Sequence, residues 1–186
     1  MHNTEPISIL IERLARIFQN DAHADGLKPT QWEALRYLAR ANRFSCSPRA
    51  VTIYLGMTKG TVSQTIGALE RKGLVRKHVD PTDRRGVQLD VTEKGTDTLA
   101  RDPTAILENA AAKLTNIDRS QLSEGLEKVL RQLLHERGGR HFDACKTCRH
   151  FVSDYKQGSP FYCGLLGEPL TTSDSEAICI EQERAA

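Results

Sequence analysis

Residues 47–95 read SPRAVTIYLGMTKGTVSQTIGALERKGLVRKHVDPTDRRGVQLDVTEKG, and the fold turns on them. Ser47 followed by Pro48 is an N-cap with proline at the first helical position, and Gly56 supplies a stop after Val51, Tyr54 and Leu55. Thr58 caps the next helix, with Met57 and Val62 spaced as a hydrophobic staple. Val62, Ile66 and Leu69 form its buried stripe as far as Gly73. Leu74 to Val79 then reads as a strand and Asp80-Pro81-Thr82-Asp83 as a turn. Val87, Leu89 and Val91 alternate with Gln88 and Asp90 as in a half-buried strand, so the segment closes as a hairpin tipped by Arg84-Arg85-Gly86.

Helices flank this block. Ile7, Leu10, Ile11, Leu14, Ile17 and Phe18 recur at offsets of three and four, which predicts a helix from about Glu5 to Ala22. Thr30-Gln31-Trp32-Glu33 has the form of a capping box, opening a helix to about Ala41 that buries Trp32, Leu35, Leu38 and Ala39. Beyond Thr92 a helical stretch is broken at Asp102-Pro103. Asp118 or Ser120 opens a last helix, lined by Leu122, Leu126, Val129, Leu130, Leu133 and Leu134 until Gly138-Gly139 ends it. Either flanking stripe alone is compatible with packing inside one subunit. Together they exceed what a small domain needs to bury, and they point to pairing between chains.

At 186 residues the chain is too short for two full-sized domains. We divide it at 1–137 and 138–186. No apolar run approaches the roughly 18 residues of a membrane span, which excludes a membrane protein. Met1 to Leu10 lacks a basic leader and apolar stretch, so the cytoplasm is the expected compartment. The net charge of +2 hides a central block, Lys28 to Arg101, that carries +7 between acidic flanks. A positive block of this kind suits a phosphate backbone, although a solvated basic surface would give the same count.

Two helices joined by a tight turn and followed by a basic hairpin match the geometry of a winged helix-turn-helix. With Val62, Ile66 and Leu69 inward, Gly60, Gln64, Gly67 and Arg71 fall on the outer face, flanked by Thr61 and Ser63. This small, polar face allows close approach to a groove floor. Thr61, Ser63 and Gln64 are the candidates for base edges, Lys59 and the free N–H groups of the helix start face phosphate, and Arg71 is a further DNA-binding candidate on the outer face. Asp83 is placed to brace one arginine of the tip, leaving Arg84 or Arg85 for a minor groove.

The stretches MTKGTVSQ (57–64), LERKGLV (69–75), DPTDRRG (80–86) and VTEKG (91–95) resemble the MarR family of transcriptional regulators. The resemblance implies a mainly α fold with a small β-hairpin wing (α+β) over about the first 137 residues. It also implies a homodimer with intertwined terminal helices, binding double-stranded DNA at a pseudo-palindromic operator, commonly as a repressor. Many such regulators are relieved by a small-molecule inducer or by oxidation of a cysteine in the first helix. This chain has no cysteine there, and Cys46 reads as a small buried apolar residue.

The remaining cysteines are Cys145, Cys148, Cys163 and Cys179, spaced C-x2-C-x14-C-x15-C. Phe142 to Glu181 is too short to be held by an apolar core alone, so we expect a metal to staple it, and four thiolates suit either zinc or an iron-sulfur centre. Zinc ribbons usually carry two CxxC knuckles and this segment has one. Cys145-Lys146-Thr147-Cys148-Arg149-His150-Phe151, Tyr162-Cys163-Gly164-Leu165 and Cys179 resemble the cluster segment of high-potential iron-sulfur proteins, which implies a [4Fe-4S] cofactor, with structural Zn as the alternative. Phe142, Phe151, Tyr155, Phe161 and Tyr162 are the expected lining, and His141 and His150 are alternative ligands better read as surface or supporting groups. A redox-modulated DNA-binding regulator is the leading reading, with an electron-transfer or enzyme-associated iron-sulfur protein as a third. No catalytic set is apparent: the six histidines are scattered, and no Gly-rich phosphate loop or nucleophile context occurs.

Overall fold

The structure, a computed structural model of the chain, describes residues 5–21, 26–79, 86–155 and 158–184. Its centre is a three-helix core of α2 (Pro29–Arg40), α3 (Pro48–Leu55) and α4 (Lys59–Arg71), closed by the antiparallel pair β1 (Val75–Val79) and β2 (Val87–Val91). Trp32, Leu35, Val51, Val62, Ile66, Leu69, Val75 and Leu89 are essentially removed from water and form one cluster.

The local reading of the sequence is met at most helix ends. Ser47 Oγ accepts from Ala50 N–H, Pro48 opens α3, and Gly56 leaves it at φ +61°. Thr58 Oγ1 accepts from Thr61 N–H at the start of α4. The entry to α2 differs. Pro29 at the first helical position moves the cap to Lys28, whose N–H is taken by Gln31 Oε1, so Thr30 is already inside the helix. Ala39 also departs from expectation: it is exposed, while Ala34 and Tyr37 complete the buried face.

Proline at 103 does break the helical stretch. α5 (Glu93–Leu99) ends before it, and Asp102 Oδ1 accepts from both Thr104 N–H and Thr104 Oγ1 ahead of α6 (Ala105–Ala111). The long helix α7 (Asn116–Glu136) starts earlier than the sequence suggested. Thr115 is its cap, and Asp118 is the residue whose N–H and carboxylate answer it. With α1 (Ile7–Asp21), α7 presents an uncovered apolar stripe. Ile7, Leu10, Ile11, Leu14 and Ile17, and Leu122, Leu126, Val129, Leu130 and Leu133, are 41–65% exposed. The side chain of Phe18 lies outside the described residues.

After Gly138 the chain builds a small β-rich unit. It consists of β3 (Asp143–Ala144), a 3₁₀ turn (Cys145–Thr147), β4 (Phe151–Val152), β5 (Phe161–Cys163), β6 (Glu168–Leu170), α8 (Thr172–Glu176) and β7 (Ile178–Cys179). β4, β5 and β6 form one antiparallel sheet and β3 pairs with β7. This unit is seated on the helical core, and Ile178 and Ile180 are buried in the same cluster as Trp32.

Candidate nucleic-acid interface and thiol cluster

α4 is held by its apolar stripe so that Lys59, Gly60, Thr61, Ser63, Gln64 and Arg71 are all exposed, on the face opposite Val62, Ile66 and Leu69. Among the described residues, neither Lys59 nor Arg71 makes an ion pair. Both are therefore cations free to meet phosphate. The tip residues Asp83, Arg84 and Arg85 lie outside the described residues.

A groove of about 230 Å³ between α3, α4 and β1 adds residues the sequence reading missed: Pro48, Arg49, Thr52 and Lys77 line it together with Lys59 and Ser63. Their signal was hidden because Lys77 pairs with Glu70 across helix and strand (2.7 Å), and Arg49 faces Glu181 of the C-terminal unit (3.8 Å). Neither relation shows as a local motif.

The four late cysteines converge. Cys145, Cys163 and Cys179 are buried in one cluster with Leu170, packed by Phe44, Phe151 and Phe161. Cys148 stands beside Cys145, its N–H donating to the Cys145 carbonyl, while its Sγ accepts from Glu183 N–H at 3.4 Å. Burial, and then the nearby sulfurs of Cys179, Cys163 and Cys148, push the Cys145 thiol up to about 12. Among the described residues, no group of three or more His, Cys, Asp or Glu side chains is arranged to hold a metal ion. All five cysteines are free thiols.

The aromatic lining is partly different from expectation. Phe151 and Phe161 do pack on the thiols, but Tyr155 and Tyr162 stack on each other, and Phe142 turns away to meet Tyr37 and Tyr54 edge-on. Phe44, from the loop before α3, takes its place. His141 is half-buried, and desolvation keeps its imidazole below the ordinary range. His150 faces Glu183 at 3.5 Å. Cys46 is partly buried against the carbonyls of Leu38, Ala41 and Asn42, and burial pushes its thiol up to about 11.

A cleft of about 760 Å³ opens where α2, α7 and the C-terminal unit meet, walled by Tyr54, Leu130, Leu134, His141, Phe142 and Ile178. No helix among the described residues is long and apolar enough to cross a membrane.

Residues 25–86 match the model of the MarR family. The chain is 28% identical over 111 residues to a transcriptional regulatory protein for the hcr operon of Thauera aromatica, covering 58% of this chain and 66% of that one. It is 27% identical over 111 residues to the transcriptional repressor MprA of Escherichia coli K12, covering 60% and 62%. The chain thus spans just under two thirds of the length of these curated relatives, which are named as transcriptional regulators and not as enzymes. Among solved structures it resembles MepR of S. aureus in complex with DNA, with a TM-score of 0.56 at 22% identity, covering 69% of this chain and 99% of that one. Nearly a third of this chain therefore has no counterpart there. Over residues 25–86 the chain is thus similar to the MarR family, and the helical core with its hairpin has the winged-helix fold of the MarR-type structures.

Proposed function

We propose that the protein is a homodimeric, DNA-binding transcriptional repressor of the MarR type whose grip on a pseudo-palindromic operator is modulated by a [4Fe-4S] cluster on Cys145, Cys148, Cys163 and Cys179. The observation that carries the DNA-binding part is the outer face of α4. It is small and polar from Gly60 to Gln64, with unpaired Lys59 at one end and Arg71 at the other. Thr61, Ser63 and Gln64 read base edges, Lys59 and the free N–H groups at the start of α4 face phosphate with Arg71 on the same DNA-facing side, and Asp83 braces one arginine of the tip so that Arg84 or Arg85 enters the minor groove. The uncovered stripes of α1 and α7 support a dimer, which two half-sites require.

The burial of Cys145, Cys163 and Cys179 in a pocket capped by Phe44, Phe151 and Phe161, with Cys148 beside Cys145, supports the cluster. A single zinc ion draws its sulfurs to about 2.3 Å from one point. Iron-sulfur clusters are held by four cysteine thiolates, the ligand set that this segment supplies. When bound, the cluster supplies one-electron redox chemistry and sensitivity to oxidants. The chain's own part is to bury three of the ligands and to shield them with aromatic rings.

The test is a gel shift against DNA upstream of the protein's own gene, run beside metal analysis on protein isolated without oxygen. Brown protein with about four irons per subunit and salt-sensitive, site-preferring binding is expected. Binding that is absent, whether the thiols are loaded or stripped, would remove the proposal. A second reading keeps the regulator, makes the tail a structural zinc unit and seats a small-molecule inducer in the 760 Å³ cleft, whose volume is within the ~300–1,000 Å³ of small-ligand sites. Colourless protein with one zinc per chain would favour it.

A further inference from the structure

The thiol cluster and the helix-turn-helix meet at one short stretch of chain. Cys179 stands between Ile178 and Ile180, which are 6% and 5% exposed and packed in the core that holds Trp32, Val51 and Leu89. The backbone of this stretch is held by the loop between α2 and α3. Asn42 N–H donates to the Ile178 carbonyl (2.9 Å), and Ile180 N–H donates to Ser45 Oγ (2.9 Å), which in turn donates to Asn42 Oδ1 (2.7 Å). Ser45 is fully buried, and Tyr37 Oη donates to its carbonyl (2.9 Å). One residue on, the Cys46 carbonyl accepts from Leu89 N–H of β2 (2.9 Å), and Ser47 caps α3.

The backbone on either side of Cys179 is thus hydrogen-bonded to Asn42 and Ser45, and the chain that continues from Ser45 through Cys46 to Ser47 meets the middle of the wing strand and opens α3. Resting on the reading of the four cysteines as a metal-cluster site, we propose that Cys179 is the ligand through which the loading of that site reaches the DNA-binding helices. Ser45 and Asn42 are the positioning residues of the transmission. Ligation fixes the Cys179 sulfur. Because Ile178 and Ile180 are clamped in the core, the stretch moves as a unit, and the loop must follow it or leave buried polar groups unpaired. Loading that favours one placement of the loop shifts the population of α3 and β2 with it. This route runs through the α2–α3 loop. The short link from α7 to Ala144 is tied separately by Arg131 to Asp143 (3.1 Å).

The test is hydrogen–deuterium exchange on the full-length protein, stripped and then loaded with ferrous iron and sulfide without oxygen, with bound iron measured in parallel. In the wild type, loading is expected to slow exchange about tenfold in peptides 38–50 and 86–92 as well as in 143–182. In Ser45→Ala the protection of 143–182 should remain while that of 38–50 falls away. Arg43→Ala removes contacts to Pro169, Glu168 and the buried Asp174 but leaves the hydrogen bonds among Asn42, Ser45, Ile178 and Ile180 intact, and it should behave as wild type. Iron bound with protection confined to 143–182 would overturn the inference and leave the cofactor reading standing. Protection of 38–50 that survives in Ser45→Ala would overturn the role given to Ser45. If no iron binds, the cofactor reading fails and this inference falls with it. The wild-type comparison alone decides the coupling should Ser45→Ala not fold.

Discussion

Replacing Leu126 by alanine should loosen the dimer by a calculable amount. Leu126 is 46% exposed on α7. Fully burying a leucine side chain is worth about 1.5–3 kcal/mol, so covering its open half contributes roughly 1 kcal/mol per subunit, and two-fold symmetry counts it twice. About 2 kcal/mol per dimer is a roughly 30-fold rise in the dissociation constant. The ten exposed apolar residues of the α1 and α7 stripes, each about half open, supply on the same scale about 20 kcal/mol gross per dimer, more than the ~4–15 kcal/mol that association costs. Sedimentation equilibrium measures the shift. Leu165, also 46% exposed but on the C-terminal unit, is the matched control, and Leu165→Ala should leave the dimer unchanged. Equal dissociation constants for Leu126→Ala and wild type, or equal weakening by both substitutions, would refute the assignment of the stripe.

Three further outcomes follow from the same structure. A Cβ on Gly95 would stand 2.3 Å from the Leu74 carbonyl oxygen and 2.8 Å from Val91 Cγ1. Gly95→Ala should therefore lower the unfolding free energy by a net of about 1–2 kcal/mol, read as a lower urea midpoint, since forcing backbone apart outweighs the ~1 kcal/mol of helix propensity gained; an unchanged midpoint would contradict the contact. The Asp102 carboxyl is pulled up by burial, but hydrogen bonds from Arg36 (2.6 Å) and Thr104 hold it below its ordinary value. That depressed pKa stabilises the fold above about pH 4 and the contribution disappears as pH falls through the folded value, so Asp102→Asn should flatten the acid limb of a pH–stability curve. Because burial raises the Cys46 thiol to about 11, iodoacetamide should label it slowly at pH 8 and faster toward pH 11, followed by mass spectrometry. Rapid labelling at pH 8 would show an open, activated thiol instead.

What could be read from the sequence is what is decided locally. Ser47 and Thr58 each take an N–H three residues on, so a hydroxyl ahead of an apolar stripe was sufficient evidence for a helix start. Reading errors arose where two local signals competed. Pro29 overrode the capping box that Thr30 and Glu33 spelled out, and Asp118, taken for a cap, is inside the helix, its N–H and carboxylate both bonded to the hydroxyl of Thr115.

The thiols illustrate the boundary between local and distant information. Their identity and spacing were visible, because few physical arrangements make four cysteines useful in so short a segment. Their surroundings were not. Phe44 reaches the pocket from a loop about a hundred residues earlier, and Phe142, next to the segment in sequence, is drawn off by Tyr37 and Tyr54. Ser45 and Ile180 are 135 positions apart, and nothing in either neighbourhood announces the other. A serine with no apolar period around it looks like any loop hydroxyl. It becomes a specific element only because the packing of Ile178 and Ile180 drives a backbone N–H into a dry core, where that N–H must find an acceptor. Packing thus determines where the buried polar link has to be, and the same packing lets a change at Cys179 be felt at α3.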